Sequence, residues 1–544
     1  MSTDNPGEPQ YTRRIMALSS LFPSRRAEPE NVAPDFLDLD HKKTRRQLER
    51  SCERHLPFAS AGVSGEPVRE FYLSSVDLQT RYPLALLPVA QKRMAKWLLK
   101  QGRAQHQFSD EQVLAFLRES ATDLPRGIAE TYLITPSWQE RFPNADGQHL
   151  LDFLRTEFPE WRALDRCGLV PLTAPPAPDP QQLGVNLLAH FCYPSGLQQG
   201  ALATGAALQH AGVTVACRDV PAGTRTELLP RGEFLELERF PISLLSMAPV
   251  PFTESAYARA GLYRRPGVYR IAYWLWELDA IPAEWPSFSG LIDEIWAPSR
   301  FIGDTMRRHF SVPVTEMPLP LLMEEPETVR RSEIGVAEDA FVFLFMFDMC
   351  SELDRKNPLG LIRAFRQAFS ADEKVALLLK LVRAELDPAG RARLEEAAAG
   401  ANVVIVNELA SRARTLGFVE LCDCYISLHR SEGYGFTMAE AMALGKPVIG
   451  TGYSGNVDFM NESNSFLVDY TLVEVETEGP NYQCGGRWAA PSEEHAAALM
   501  RSVWKDRATA AARAAQAHRD VTVQLAPEAV GRRMRKRLEE IRAS

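Results

Sequence analysis

The sequence predicts an α/β protein in which two Rossmann-like domains face a cleft, preceded by a mostly α-helical N-terminal domain. Three observations carry this prediction. Apolar residues recur at helical spacing in the first third of the chain, strands and helices alternate after it, and the alternation restarts beyond a second proline-punctuated stretch. Strands that alternate with helices are typical of parallel sheets covered by helices.

Length and composition agree with several soluble domains. A chain of 544 residues is too long for one ordinary core, and 45% hydrophobic with 24% charged residues is the usage of a globular protein. The formal charge of -9 gives no overall attraction to polyanions, which disfavours nucleic acid as a partner.

The first third of the chain is predicted to be helical. Residues 1–34 show little periodicity and are expected to form a disordered tail, whereas 35–170 read as a helical domain. Ser109 and Gln112 have the spacing of a capping box at the start of one helix. A proline-rich linker over 171–182 then ends this region.

The first α/β domain is predicted over 183–322. Val185 to Cys192 is a strand candidate, Leu197 to His210 a helix that stops at Gly212, and Val213 to Cys217 the next strand. This order of elements predicts a βαβ unit.

The second α/β domain is predicted over 323–510. A β-rich run from Ala340 to Phe347 precedes a helix from Pro358 to Phe369, and three further strands follow at 375–381, 403–406 and 424–428. Two such domains in tandem imply a cleft, and ligands of these sheets bind at the carboxyl ends of the strands. Residues 511–544 are predicted to be C-terminal helices.

The sequence also predicts a cytoplasmic location. The first residues lack the basic and apolar regions of a signal peptide, and the densest apolar run is too short to span a bilayer. The eight cysteines are scattered and are expected to be reduced. The basic helix Val530 to Ile541 has two interpretations, packing across the first α/β domain, which we favour, or peripheral contact with anionic lipid at the inner face of the membrane.

The stretch from Ser431 to Asp458 contains the strongest functional signal. An apolar strand runs into a loop with Gly433 and Gly435, and a short helix opens near Thr437. Loop amides and a helix N-terminus that point at one place form an anion site, which suits a diphosphate.

Structural interpretations of the same residues remain open. Thr437 and Glu440 have the spacing of a capping box, so Glu440 could satisfy a backbone donor. Glu432 could be a surface carboxylate, which is the usual position of an isolated Glu. Capping and ligand binding are compatible, since a carboxylate has two oxygens.

The whole segment resembles the retaining family 4 glycosyltransferases, which have the GT-B fold of two Rossmann-like domains. Their signature is Glu, seven residues, Glu, with an aromatic-glycine loop after the first Glu, and Glu432 and Glu440 stand at that spacing around Gly433-Tyr434-Gly435-Phe436. The resemblance covers roughly residues 184–544. It implies that Glu432 holds the donor sugar, that Glu440 binds the ribose hydroxyls, and that further donor contacts come from Gly433, Tyr434, Gly435, Phe436, Thr437, Ser454 and Asn456.

A second element agrees with this resemblance. Lys356 follows a strand and matches the family's phosphate-binding lysine, and a cation there would offset the negative charge that grows on a departing diphosphate. The family places Gly-Arg at the strand end, where this chain has Cys350 and Ser351. Arg355 is expected to supply the missing charge.

The first α/β domain supplies fewer candidates. Gly196 lies in the turn where the family brings backbone near the donor. Relatives carry a histidine where this chain has Trp276 and Glu277, so Glu277 is a catalytic candidate in an apolar run where a carboxylate is costly. His190 and His429 are further options, each better explained as a structural histidine.

The expected activity is transfer of a hexose-type sugar from a nucleoside diphosphate sugar to a hydroxyl acceptor. The acceptor is expected to be a glycan or a lipid-linked saccharide in surface polysaccharide synthesis. No metal or other cofactor is expected, since the one Asp-x-Asp, Asp38 to Asp40, lies in the polar start of the chain. Alternatives are a GT-B nucleotide-sugar epimerase, a phosphorylase, or a catalytically silent GT-B scaffold.

Overall fold

The structure is a computed structural model of the full chain. It describes residues 64–141 except 88–89 and 123, then 182–220, 240–247, 267–476 and 485–543, with a few single residues between these ranges, among them Phe153, Phe234 and Tyr482. The predicted tail at 1–34, and the linker at 171–182 apart from its last residue, lie outside the described residues. The predicted domain boundaries stay predictions.

Short helices form the region before the first sheet, as its apolar spacing predicts. Ser109 and Gln112 exchange the two hydrogen bonds of a capping box, Ser109 N to Gln112 Oε1 at 2.9 Å and Gln112 N to Ser109 Oγ at 3.1 Å, which confirms that prediction. A π-helical turn over Leu98–Gly102 and a one-turn helix over Arg103–Gln105 extend the third helix. The six longer helices are α1 (Glu66–Ser74), α2 (Val76–Arg81), α3 (Gln91–Trp97), α4 (Asp110–Thr122), α5 (Leu124–Leu133) and α6 (Pro136–Arg141).

A buried ion-pair network joins α1 to α5. Arg126 donates to Glu130 at 2.9 Å and to Glu66 at 2.7 Å, and Arg69 pairs with the other oxygen of Glu130. All four side chains are at most 2% exposed. Opposite charges at this depth are tolerated only as pairs, so the network fixes the register of the two helices.

The first sheet has six strands in the order β2-β1-β3-β4-β5-β6. β1 pairs in parallel with β2 and β3, β3 with β4, and β5 with β6. Two helices of this region are α7 (Gly196–His210) and α8 (Arg300–His309). The strands are β1 (Gly184–Ala189), β2 (Thr214–Asp219), β3 (Ile242–Ser246), β4 (Tyr269–Tyr273), β5 (Glu294–Ala297) and β6 (Val314–Glu316).

The second sheet has the order β12-β11-β10-β7-β8-β9, with every described pair parallel. Its central strand β7 is a continuous apolar run with seven of eight residues buried, which is typical of a parallel sheet covered on both faces. The strands are β7 (Phe341–Asp348), β8 (Val375–Val382), β9 (Val403–Asn407), β10 (Cys424–Ser427), β11 (Val448–Thr451) and β12 (Phe466–Val468). Together the two sheets confirm the predicted α/β fold class.

Helices connect the strands of the second sheet, and a small antiparallel hairpin follows β12. The hairpin strands are β13 (Tyr470–Glu474) and β14 (Arg487–Pro491). The helices are α9 (Leu353–Lys356), α10 (Pro358–Ala368), α11 (Pro388–Ala398), α12 (Arg412–Leu421) and α13 (Phe436–Ala443). Because the strands are parallel, the loops before α9, α11, α12 and α13 all start at the same edge of the sheet.

Three helices end the chain: α14 (Glu493–Lys505), α15 (Arg507–Gln524) and α16 (Pro527–Ala543). In α16, which contains the basic stretch, Arg537 donates to Glu294 of β5 at 2.8 Å, and the Glu294 side chain is 0% exposed. Arg535 donates to the carbonyl of Ala211 at 2.7 Å. Part of the positive charge of this helix is therefore used within the protein.

The structure divides into two compact units. One comprises residues up to 205 with 213–272 and 290–293, and the other comprises 206–212, 273–289 and 294–544. The contacts of the candidate site given below all lie within the second unit. Within the described residues, no helix is long and apolar enough to cross a membrane.

Candidate active site

Glu432 lies between two cations just beyond the carboxyl end of β10. Its carboxylate pairs with Lys356 Nζ and lies 3.4 Å from Arg355 Nη1. The three side chains are 15%, 16% and 5% exposed respectively. The structure thus brings together three residues that the sequence analysis selected separately.

The electrostatics of this cluster favour an ionised Glu432. Burial disfavours the charged carboxylate, but the positive charges of Lys356 and Arg355 outweigh it and hold the pKa of Glu432 at about 2. Burial lowers the pKa of Lys356, which Glu432 opposes. The Arg355 Nε atom and the nearby Ser431 Oγ atom are buried without a partner among the described residues. Unpartnered polar atoms beside paired charges are typical of a ligand site.

Backbone interactions fix both cations relative to the glutamate. Asn357, in the left-handed conformation at φ 53°, separates α9 from α10 and accepts from Gly360 N as the cap of α10. Its amide also donates to the Leu428 carbonyl at 2.9 Å. Arg355 Nη1 donates to the Ser431 carbonyl at 2.9 Å. The turn that carries the cations is therefore tied to the end of β10.

The glycines of the loop permit close backbone contacts inside the protein. A Cβ on Gly433 would lie 2.8 Å from the Trp276 carbonyl oxygen, and one on Gly455 would lie 2.1 Å from the Gly433 carbonyl oxygen. Gly435 has φ 94°, a conformation that other residues rarely adopt. The absence of a side chain at Gly433 therefore allows the Trp276 backbone to pack closely against the loop, in addition to the donor contact that the sequence predicts.

The helix α13 begins without a side-chain cap. Gly435 is its N-cap, and no side chain accepts from the first-turn amides. The Thr437 hydroxyl instead accepts from Tyr425 at 2.8 Å, and Tyr434 donates to the Leu319 carbonyl at 2.8 Å. Uncapped amides at a helix N-terminus attract anions, so this end of α13 can receive a phosphate or a sugar oxygen.

The capping-box interpretation of Thr437 and Glu440 is wrong. Because the helix starts at Phe436, Thr437 lies inside it and cannot be the N-cap. The carboxylate of Glu440 lies 2.7 Å from Arg412 Nη1, and its side chain is 2% exposed. Burial raises the pKa of Glu440, and Arg412 opposes that effect.

Ser454 and Asn456 contact the Glu432 loop rather than an open space. The Ser454 hydroxyl accepts from Glu432 N at 2.8 Å, and Ser454 itself has φ 75°. Asn456 donates to the Thr451 carbonyl at 2.9 Å and meets His429 Nε2 at 3.0 Å. His429 is fully buried, also meets Ser427 Oγ at 3.0 Å, and has its pKa lowered by burial. These interactions give His429 the structural role that the sequence analysis favoured.

Glu277 reaches the same cluster from the segment after β4. Its carboxylate lies 3.9 Å from Arg355 Nη2 and accepts from the Tyr482 hydroxyl at 3.2 Å. The Tyr482 ring lies 5.9 Å from the Arg355 guanidinium and 5.6 Å from the Trp276 ring. Trp276 is a packing residue, 8% exposed and edge-on to Trp285 at 4.6 Å.

Tyr482 is a site residue that sequence reasoning missed, and Arg383 is a buried cation that it also missed, at the end of the neighbouring strand β8. Tyr482 lies between the hairpin strands in a stretch without periodic pattern. Arg383 follows β8 in the left-handed conformation at φ 60° and pairs at 2.5 Å with Asp348, the last residue of β7. It is 3% exposed, and it puts a guanidinium at the strand end where Cys350 and Ser351 replace the expected arginine. The unusual backbone conformation of Arg383 is visible only in the structure, because no sequence pattern predicts a positive φ at an arginine.

The remaining candidates belong to the other compact unit. Gly196 begins α7, and no atom lies within 4 Å of the place of its Cβ. His190 meets the Val220 carbonyl at 2.6 Å and is 7% exposed. In the parts of the chain that the structure describes, no group of His, Cys, Asp or Glu could hold a metal ion.

Comparison with protein families gives one match. Residues 302–534 match the model of the family 4 glycosyltransferases in conflict systems. This segment contains the whole second sheet, Lys356, Arg355, Glu432 and Glu440. No curated protein matches the chain.

Several solved structures are similar to this chain. Sucrose-phosphate synthase from Thermosynechococcus elongatus has 16% identity and a TM-score of 0.49, and covers 66% of this chain and 100% of its own. Anabaena HepE, solved with UDP and glucose, has 14% identity and a TM-score of 0.47 over 66% and 100% of the two chains. A glycosyltransferase from Rickettsia africae has 15% identity and a TM-score of 0.46 over 66% and 99%.

The family match and the site geometry agree on the same residues. Both carboxylates of the family signature are ion-paired, Glu440 buried and Glu432 partly buried, and the matching lysine contacts Glu432. Residues 302–534 therefore match the family 4 glycosyltransferases both in sequence and in the placement of these residues.

Proposed function

We propose that the protein transfers a hexose-type sugar from a nucleoside diphosphate donor to a hydroxyl acceptor, with retention of anomeric configuration. The observation that carries this proposal is the buried Glu432 carboxylate held between Lys356 and Arg355 at the carboxyl end of the second sheet. Anabaena HepE was solved with UDP and glucose, and UDP-sugars are therefore the first donors to test.

The two cations act on the leaving diphosphate. As the bond between the anomeric carbon and the phosphate oxygen breaks, negative charge grows on the diphosphate, and fixed positive groups stabilise it without reorganising. In the structure, Glu432 pairs with Lys356 and lies close to Arg355. When the donor binds, its phosphates take over part of that pairing and leave the carboxylate to accept hydrogen bonds from sugar hydroxyls.

The remaining donor contacts follow the loop and α13. The uncapped first turn of α13 and the amides of Gly433 to Phe436 would bind the distal phosphate and the sugar. Glu440 would accept from the ribose hydroxyls. Ser454 and Asn456 would act by holding the Glu432 backbone and His429.

The proposed reaction uses no protein nucleophile. The acceptor hydroxyl attacks the anomeric carbon on the face that the phosphate leaves, its oxygen forms the new bond, and its proton passes to the departing phosphate oxygen. Glu277, held by Tyr482 and near Arg355, would orient the acceptor hydroxyl or the departing group. No metal ion or other cofactor is part of this proposal.

Two classes of acceptor deserve direct comparison. The first is a glycan or lipid-linked saccharide of surface polysaccharide synthesis, which would suit a cytoplasmic enzyme working at the inner membrane face. The second is a component of a conflict system, because the family that residues 302–534 match is that of the family 4 glycosyltransferases in conflict systems.

The test is a screen of nucleotide sugars for binding and slow hydrolysis, read by mass spectrometry. We expect one donor to release its nucleoside diphosphate and free sugar, and to give a glycosylated product once an acceptor is supplied. The anomeric configuration of that product, read by NMR, tests retention. Formation of an epimer without released diphosphate would instead indicate an epimerase, and a sugar phosphate a phosphorylase. Absence of binding by every donor would indicate a silent scaffold.

A further inference from the structure

Arg412, the first residue of α12, lies against Glu440 of α13. Its Nη1 atom is 2.7 Å from Glu440 Oε1, and the two side chains are 10% and 2% exposed. The guanidinium carbon also lies 6.0 Å from the ring centroid of Phe436, which begins α13. The arginine therefore stands between the carboxylate proposed to bind ribose and the helix end proposed to bind phosphate.

The guanidinium of Arg412 is only partly used within the protein. Its Nε and Nη2 atoms are buried and have no hydrogen-bond partner among the described residues. A buried donor that is left unpaired out of water destabilises the protein. Most buried polar atoms in proteins are hydrogen-bonded. If the Arg412–Glu440 ion pair served stability alone, we would expect Nε and Nη2 to have partners within the protein.

The planar geometry of the guanidinium explains how one side chain can do two things. Nη1 faces the carboxylate, while Nε and Nη2 form a second edge of the same rigid group. That edge donates two parallel hydrogen bonds and accepts none, so its ligand must present hydrogen-bond acceptors. In a nucleoside, these are the ribose hydroxyl oxygens and the carbonyl oxygens and ring nitrogens of the base.

We propose that Arg412 is a donor-binding residue that orients Glu440 through Nη1 and donates from Nε and Nη2 to an acceptor atom of the donor's nucleoside. This inference rests on the proposed function, because it places the nucleoside beside Glu440. It adds to the family signature a recognition residue that lies outside the Glu-x7-Glu segment. Lysine cannot replace it fully, because an ammonium on a single stem restores the charge beside Glu440 but not the second edge.

The experiment measures binding and stability in the same full-length variants. Calorimetry with UDP, GDP and ADP identifies the diphosphate that binds the wild-type protein, and thermal unfolding is measured in parallel. Arg412→Lys is the main variant and Arg412→Gln removes the charge as well. Arg391→Gln is the matched control, because Arg391 forms an exposed pair with Glu395 on α11 and is 48% exposed.

We expect Arg412→Lys to retain the unfolding temperature within a few degrees and to weaken nucleotide binding about tenfold, the loss of one or two hydrogen bonds. Arg412→Gln should lower both the unfolding temperature and the nucleotide affinity. Arg391→Gln should change neither quantity. Binding of inorganic pyrophosphate should be equal in the wild type and Arg412→Lys, because the contact is to the nucleoside.

The 2′-deoxy and 3′-deoxy forms of the same nucleotide separate the two sources of the acceptor atom. If Arg412 contacts the ribose, one deoxy form should bind the wild type and Arg412→Lys equally. If it contacts the base, both deoxy forms should lose the same factor as the ribonucleotide. Either result supports the proposal.

Nucleotide affinity of Arg412→Lys equal to that of the wild type would overturn the inference and leave the proposed function intact. The same holds if pyrophosphate and nucleotide weaken by the same factor. Absence of binding of all three diphosphates to the wild-type protein would overturn the inference together with the donor site on which it rests.

Discussion

At the scale of single residues, the Glu432 carboxylate is subject to two opposing effects, burial and neighbouring positive charge, and the positive charge prevails. Burial alone would keep it protonated, and two neighbouring cations ionise it. The same three groups become the donor-phosphate and donor-sugar contacts if the proposed function is correct. The charges of the site are stabilised because they pair with each other.

This pairing predicts a pH-dependent contribution to stability. The pKa of Glu432 is about 2 in the folded protein, against an ordinary value of 4.5. A carboxyl with a depressed pKa stabilises the fold above its unfolded pKa, and that contribution is lost as pH falls toward the folded value. We expect Glu432→Gln to unfold about 1–3 kcal/mol more easily than the wild type at pH 6, with the difference shrinking between about pH 4.5 and pH 2.

Urea unfolding of both proteins across this pH range measures the difference directly. A gap that stays constant as pH falls would show that the Glu432 charge contributes nothing to stability, and the ion pair described above would then be wrong. Glu462→Gln, which changes an exposed carboxylate, serves as the control and should follow the wild type.

The residue scale also shows where sequence reasoning stops. Glu432 and Lys356 could be selected because a family signature spans each of them. Arg412 and Tyr482 could not, because their partners Glu440 and Glu277 lie far away in the chain and no periodic pattern links them. The role of Glu440 was misjudged in part for the same reason, since the capping spacing is local and the Arg412 pair is not.

At the scale of elements, the strands of the second sheet were predictable and the loops were not. A continuous apolar run such as β7 has few alternatives to a buried strand. The turn at Asn357 and the residue Ser454 both adopt positive φ without being glycine, which no simple pattern indicates. The elements were therefore clear from the sequence, and the contacts at their ends required the structure.

In the loop after β11, substitution by alanine should destabilise the fold at one glycine and have little effect at another. A Cβ on Gly455 would lie 2.1 Å from the Gly433 carbonyl, whereas one on Gly452 would have its nearest neighbour at 3.4 Å. We expect Gly455→Ala to destabilise the fold by about 1–3 kcal/mol, because a backbone atom must move. Gly452→Ala should change stability by less than about 0.5 kcal/mol.

Chemical unfolding and nucleotide calorimetry on both variants check this prediction. Gly455→Ala should also weaken nucleotide binding, because the backbone that it displaces includes Gly433, which belongs to the proposed donor site. Equal stability of the two variants would mean that the loop is not packed as described.

The ion pair between the basic helix α16 and β5 leads to a separate prediction about stability. Removing Arg537 takes away a guanidinium that pairs with the buried Glu294, which also accepts from Trp296 and Thr315. Because breaking a buried pair is costly, we expect Arg537→Ala to destabilise the protein by about 2–4 kcal/mol in thermal or chemical unfolding. Lys536→Ala, at an exposed neighbouring position, should have almost no effect. An Arg537→Ala protein as stable as the wild type would return this helix to the lipid-binding interpretation.

At the scale of the whole molecule, the donor site belongs to one compact unit. Residues 273–289, which include Glu277, join 294–544 in that unit. The family match is confined to 302–534 and so describes the donor side of the chain. The helical region before the first sheet has no catalytic cluster among its described residues, and its role is open to experiment.

Deleting residues 1–170 separates this region from the donor site. We expect the truncated protein to bind the nucleoside diphosphate within about tenfold of the full chain, because every donor contact proposed here lies after that point. Calorimetry measures the affinity, and near-ultraviolet circular dichroism checks that the remainder is folded. Complete loss of affinity in a folded truncation would assign part of the donor site to the deleted region.

The central claim is that Glu432, paired with Lys356 and Arg355, holds the donor during transfer. The most direct measurement is the rate of nucleoside diphosphate release from the donor found in the screen, compared between wild type and Glu432→Gln under conditions where both are folded. We predict a decrease of about 10²–10³-fold, with Glu462→Gln unchanged, because the substitution keeps the shape of the side chain and removes its charge. A folded Glu432→Gln protein with near-wild-type turnover would contradict the claim.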